Sequence, residues 1–435
     1  MVTGRRVQLA ERVSAPLVAW RVRVGDDRSM PITPASVAGL PGDLLAAARA
    51  LQPRTVALRR ELHRHPELGL ELPRTRDAVL RALADLPLTV HRGTTCSSVV
   101  AVLEGARPGP TVLLRGDMDA LPLPEDTGLE FASGVAGAMH ACGHDAHTAM
   151  LASAARLLAG HRERLAGRVL LMFQPGEEGF HGARYMLEEG LLSGPAGEPE
   201  LAYALHVSST VPSGGLHHRP GPIMAAADLL RVTVTGRGGH ASAPHDACDP
   251  VPAAAAMVGG LQTVLTRRVG PHDPAVLTVA RIEAGTTDNV IPETAELTGT
   301  LRTLSEPVRS RLHDDITRLC RHVALAHDCT AEVRIEPGYP VTVNDDAASD
   351  ALRRVGQRVL GARACVPMPT PLMGSEDFSY VLQNVPGALA FLGARPPYVD
   401  PATAPPNHSN RVVFDEAAFP AGVATYAGLA LAATG

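Results

Sequence analysis

Between residues 42 and 84 apolar positions recur every three to four residues, the spacing that gathers them on one face of a helix. The His65-Pro66 step interrupts the run, because proline disfavours helical backbone at the residue before it, so two helices around a loop are predicted. Short apolar runs follow at 98–103, 111–115, 168–173 and 201–206, with a helical stretch at 147–158 between the second and third. Strands alternating with helices predict an α/β sheet covered on both faces. Polar residues stand directly behind these runs: Gly116-Asp117 after the second, 174–178 after the third and His206 at the end of the fourth. Sheets of this kind carry functional groups just beyond the carboxyl ends of their strands, so one edge is the expected site.

The pattern changes in the middle of the chain. Residues 228–235 alternate as a half-buried strand, 250–268 is an alanine-rich helix, 275–283 and 294–302 are strands, 307–327 is an amphipathic helix and 329–336 a last strand. The order βαββαβ is ferredoxin-like, a unit able to bury its own face and stand as a separate domain. A helix at 345–360 and a strand at 388–392 then return to the first pattern. The expected division is an N-terminal extension over 1–40, poorly ordered for want of a sustained period, a catalytic domain over 41–223 and 338–435, and an inserted lid over 224–337. Met1 and Met30 are both candidate starts.

At 435 residues and 45% hydrophobic content the chain can bury two or three cores. Its net charge of −5 is small and its basic residues are scattered, which excludes a cationic face for nucleic acid and leaves small-molecule chemistry. Six dispersed cysteines without a CxxC pair argue against a disulfide scaffold or zinc ribbon and fit a reducing cytoplasm. The apolar stretch at 15–20 is too short for a signal segment, and no later run looks long enough to span a bilayer, so a cytoplasmic protein away from membranes is expected.

The densest chemistry is the run His140-Ala141-Cys142-Gly143-His144-Asp145-Ala146-His147. Thiolate and imidazole are strong ligands for metals such as zinc, and a tight turn through Gly143 lets Cys142 and His144 reach one centre. A His-rich surface loop and a Cys142 nucleophile are the competing readings. Glu177-Glu178, His206 and His408 supply further ligands that a thiol mechanism would not need. Of two adjacent carboxylates, one can bind metal while the other stays free as a base, although isolated acidic pairs are usually solvated surface. In the Gly116–Asp119 step an Asp either orients a ligating imidazole or caps a turn, and Asp119 is given a supporting role.

Nine stretches resemble, in order, the metallopeptidase family of aminoacylases, hippurate hydrolases and indole-acetyl-amino-acid amidohydrolases, in its carboxypeptidase-like branch. They are RRELHRHPELG (59–69), RGDMDALP (115–122), MHACGHDAHTAM (139–150), FQPGEEG (173–179), LHV (205–207), GRGGHASAP (236–244), GTTDNVIPETAELTGTLRT (285–303), GSEDFSY (374–380) and NHS (407–409). The resemblance implies a catalytic domain with a mixed sheet flanked by helices, plus a lid that also dimerises. It implies two divalent metal ions (zinc, manganese, nickel or cobalt), with Cys142 shared between them, His144 and His206 on one, and Glu178 and His408 on the other. Glu177 would be the general base that takes a proton from the attacking water and hands it to the leaving amine. His240 would steady the oxyanion in a neighbouring subunit's site, while Asn289 and Arg302 hold the substrate carboxylate. Phe180 and His181 stand where relatives carry small residues, and Asn410 where a proline is common.

The expected activity is thus a metal-dependent amidohydrolase acting on N-acyl amino acids or similar small amides, as a homodimer joined through the lid. A dipeptidase, aminopeptidase or biosynthetic deacetylase of the same family is the near alternative. A metal-free Cys-nucleophile amidase and a non-catalytic binding protein are the distant ones.

Overall fold

The structure is a computed structural model that describes residues 32–194 and 197–435. The two predicted helices form as Leu44–Arg64 and Pro73–Leu83, and the first ends at His65 before the proline. An eight-stranded sheet follows, in the order Thr89–Arg92, Val99–Glu104, Ala166–Gln174, Arg107–Asp117, Leu201–Pro212, Gly387–Arg395, Leu216–His218, Cys365–Pro367. Its centre is parallel, while the edge from Thr89 to Glu104 and the junction of Gly387–Arg395 with Leu216–His218 are antiparallel, so the sheet is mixed. Central strands are buried continuously through most of their length and emerge only at one end, as parallel strands covered on both faces do. Alternation sends Val112, Leu114, Val169 and Leu171 into one core and Leu113, Leu170 and Met172 into the other.

The fourth strand continues past His206 to Pro212, so His206 lies within a strand rather than beyond its end. Residues 275–284, 294–303, 226–235 and 330–337 form a second, four-stranded antiparallel sheet in that order. Helices Pro250–Arg268 and Glu306–Ala326 cover one face and close a core of their own around Leu230, Met257, Leu297, Leu312 and Ile316. Side chains of strand Ala226–Thr235 alternate between buried and more exposed, matching the period read from the sequence. Chain crossings near Ala227 and Tyr339 join the two sheets and bond to each other: Ala227 N–H donates to Tyr339 O at 3.0 Å and Gly338 N–H to Ala227 O at 2.8 Å.

Two expectations need correction. Residues 1–31, including Met30, lie outside the described residues; of the expected extension, 32–40 are described and pack against the first core. Thr33 caps a short helix, Pro34–Ala38, and Ile32, Val37 and Leu40 are buried in the first core. An apolar helix long enough to cross a membrane by length and composition also exists, at Glu416–Thr434, although 94% of it is buried inside the protein. Ala, Gly and Leu on every side of it meet the sheet and the helices Leu44–Arg64, His144–Gly160 and Asp346–Leu360, which gives an all-round apolar helix its place as the centre of a large core.

Candidate metal centre

Local backbone requirements build the site. Gly143 has φ +89°, and a Cβ there would collide with Cγ2 of Val207, so only glycine lets the His140–Cys142 loop turn into the helix that starts at His144. Gly176 and Gly179, at φ +71° and +86°, likewise bracket Glu177 and Glu178 beyond the strand Ala166–Gln174. His408 is itself left-handed at φ +71°, a strained state for a residue with a Cβ. Its backbone is fixed all the same: His408 N–H donates to Ala141 O at 2.9 Å, and the side-chain amide of Asn407 donates to the carbonyls of Cys142 and Val207.

Five predicted ligands converge on one point. Cys142 Sγ lies 3.3 Å from His206 Nε2 and 3.3 Å from His408 Nε2, while His408 Nε2 is 3.2 Å from Glu178 Oε1. Ligand atoms of Cys142, His144 and His206 all fall within 4.8 Å of one another, and so do those of Cys142, Glu178 and His408. Donors sharing one tetrahedral ion stand about 3.5 Å apart when each is ~2.0–2.3 Å from it, so both sets have the right spacing, with the thiol common to them. His144 is fully buried, and among the described residues its ring nitrogens make no hydrogen bond of good geometry, with Asp117 Oδ2 at 3.4 Å and Asp119 Oδ1 at 3.5 Å as flanking carboxylates, an arrangement that suits a cation beside the ring. The donor set therefore fits two ions.

Around these groups lies a layer of buried charge. Asp117 takes the His147 Nδ1–H at 2.5 Å, the Arg115 guanidinium at 2.7 Å, and faces His144 Nε2 at 3.4 Å. His147 Nε2 accepts the Val207 N–H at 2.7 Å, which sets its tautomer and leaves Nδ1 to donate. Asp119 accepts the N–H groups of Glu177 (2.9 Å) and Glu178 (3.0 Å), so it orients the carboxylate loop. Arg115 also binds Glu376 at 2.7 Å and Asp377 at 3.2 Å, and Gln174 bridges Arg115 and Asp377.

Electrostatics separate the two glutamates. Burial, then the facing carboxylates of Glu376, Glu178 and Asp377, push Glu177 well above the usual carboxylate range. For Glu178 burial acts upward too, but the hydrogen bond from His408 and the nearby His144 outweigh it and hold the group down. His408 is raised to about 10, chiefly by its hydrogen bonds to Cys142 and Glu178. Burial, and then Glu178, raise the Cys142 thiol. One acidic side chain is thus poised to hold a proton beside a cluster of donors that a cation would deprotonate.

The remaining predicted residues lie apart from this cluster. His240 and Asn289 are exposed and neighbour each other on the second sheet's side, where Gly239–His240 pairs with Val290–Ile291 and Ala241 N–H donates to Asn289 O. Among the described residues neither bonds to the Cys142 cluster. Arg302 sits where the sheets meet and donates to Ser375 Oγ at 3.1 Å, next to Glu376. Reading the sequence missed roles for Arg115, His147, Gln174, Glu376, Asp377 and Tyr339. The RGD and GSED stretches carried the signal for three of them, but isolated charged residues look like solvated surface until the fold brings them together.

The family model described as Peptidase family M20/M25/M40 matches residues 113–432. The chain is 38% identical over 387 residues to thermostable carboxypeptidase 1 of Saccharolobus solfataricus, covering 88% of this chain and 96% of that one. It is 36% identical over 343 residues to N-acetyl-L-cysteine deacetylase of Bacillus subtilis, covering 79% and 81%. A Bacillus subtilis protein whose crystal structure is described as a dinuclear metal binding peptidase of the M20 family superposes with a TM-score of 0.75 at 31% identity, covering 88% and 98%.

Proposed function

The chain belongs to peptidase family M20/M25/M40 and is a metal-dependent amidohydrolase, and from that premise we propose that it releases amino acids from N-acyl amino acids or similar small amide conjugates. The observation that carries the reading is the single thiol of Cys142 lying within 3.3 Å of both His206 and His408. His144 and His206 would hold one divalent ion, and Glu178 and His408 the other. Ions bound there supply Lewis acidity toward the amide carbonyl and toward the water that attacks it. Glu177, as the carboxylate, takes the proton of that water, holds it as its raised proton affinity favours, and delivers it to the departing amine.

The four-stranded unit with its two helices would be a ferredoxin-like lid over 224–337, inserted between catalytic parts 41–223 and 338–435. Arg302 and Asn289 would grip the substrate carboxylate, Arg by its planar fork. His240 is exposed and clear of its own chain's cluster, which fits a homodimer in which it completes the partner's site. Zinc, manganese, nickel and cobalt all bind donors of these types, so availability decides among them, and a cytoplasmic location fits the free cysteines.

A carboxypeptidase or dipeptidase activity would use the same atoms and is resolved by substrate. The metal-free thiol reading is disfavoured because burial lifts Cys142, whereas a nucleophilic cysteine needs its thiol lowered. The test is a hydrolysis screen of N-acetyl, N-benzoyl and indole-acetyl amino acids beside dipeptides, with bound metal counted by mass spectrometry. Turnover of acyl amino acids by metal-loaded protein is expected; turnover of dipeptides alone would replace the acyl reading.

A further inference from the structure

The second crossing between the sheets reaches the loop that carries the base. Asp228, fully enclosed at the start of strand Ala226–Thr235, accepts from Arg309 Nε at 3.0 Å, from His313 Nε2 at 2.6 Å and from Gly338 N–H at 3.3 Å. Arg309 also donates to Gly338 O at 3.3 Å, so the backbone just before Tyr339 is held from both sides. The Tyr339 side chain runs toward the other sheet. Its hydroxyl donates to the Glu177 carbonyl and accepts the Gly179 N–H at 2.7 Å. The ring is buried and meets His181 edge-on at 4.9 Å and Tyr380 at 6.1 Å.

Four polar groups of the 177–179 backbone therefore bond to two side chains, Asp119 on one side and Tyr339 on the other, and the two that meet Tyr339 also bond each other, Gly179 N–H donating to Glu177 O at 2.8 Å. Left-handed glycines stand at both ends of this loop, so its clamps, together with the Asp377 N–H that donates to Glu177 Oε1 at 3.4 Å, set where the carboxylate points. We propose that Tyr339 is a positioning residue for Glu177, tying the orientation of the base to the crossing that joins the two sheets. The proposal rests on Glu177 acting as the base.

Tyr339→Phe keeps the ring and removes only the hydroxyl. On the N-acetyl amino acid that the parent hydrolyses fastest, kcat should fall roughly tenfold to a hundredfold, the scale of a small displacement of a reacting group. KM, bound metal and melting temperature should stay close to the parent's. Tyr380→Phe is the control: that hydroxyl faces His181 Nδ1 at 2.9 Å and Gly338 O at 3.5 Å and meets neither Glu177 nor Gly179, so its kcat should stay close to the parent's. Parent-like kcat in Tyr339→Phe, an equal loss in Tyr380→Phe, or a loss matched by missing metal would each overturn the proposal. Glu177→Gln in the same series tests the premise separately: parent-like turnover there removes the base itself, whatever Tyr339→Phe does.

Discussion

His408 and Cys142 both hold protons that a cation must displace. His408, at about 10, is charged at neutral pH, and the buried thiol of Cys142 stays protonated above its usual value. Because both are raised, the metal-free form is favoured at low pH and metal affinity rises as pH climbs toward 10. Calorimetric titration of chelator-treated protein at pH 7, in buffers of different ionisation enthalpy, should show at least about one proton released per chain. Affinity independent of pH with no proton release would mean that neither group ligates. Arg302, bonded to Ser375 beside the buried Glu376, is proposed to bear on substrate rather than metal. Arg302→Ala should raise KM about tenfold or more for acyl amino acids with a free carboxylate and leave their amide analogues nearly unchanged. Equal effects on both would make the arginine structural.

At the scale of elements, the helix His144–Gly160 and the turn before it decide whether the ligands meet. Its first residue is a proposed ligand, its fourth is the His147 that locks Asp117, and Gly143 supplies the left-handed turn into it. Gly143→Ala adds a Cβ against Val207, in the strand that also carries His206, and forces an alanine into a conformation that costs roughly 1–2 kcal/mol by itself. The variant should remain folded by circular dichroism yet bind metal weakly, because Cys142 and His206 are driven apart. Normal metal content with normal turnover would show that the turn tolerates a side chain. The apolar helix Glu416–Thr434 makes the complementary point: its composition passes for a membrane span, and only its surroundings show that it is a core element.

Across the whole molecule, what the sequence disclosed follows from how local each signal was. Strand and helix periods, the His65-Pro66 break and the βαββαβ order are written in contiguous residues, and the elements form within a few positions of where the pattern puts them. Cys142, His144, Glu177 and Glu178 stand out because they lie in short polar runs; His206 and His408 read as further ligands, and the family motifs sort the five between two ions. The Arg115–Glu376–Asp377 network joins segments 261 residues apart and has no local pattern to betray it. Tyr339 escaped for the same reason, since its partners are two backbone groups about 160 residues away.

The central claim is that one thiol shared between two sets of ligands holds a pair of ions that turnover requires. Reconstitution of chelator-stripped protein, with metal per chain and hydrolysis of an N-acetyl amino acid followed together, tests it most directly. Activity should be absent in the stripped protein, return with divalent cation, and reach its plateau at two ions per chain, with Cys142→Ala recovering neither metal nor activity. Full turnover by metal-free protein, abolished instead by alkylating Cys142, would contradict it.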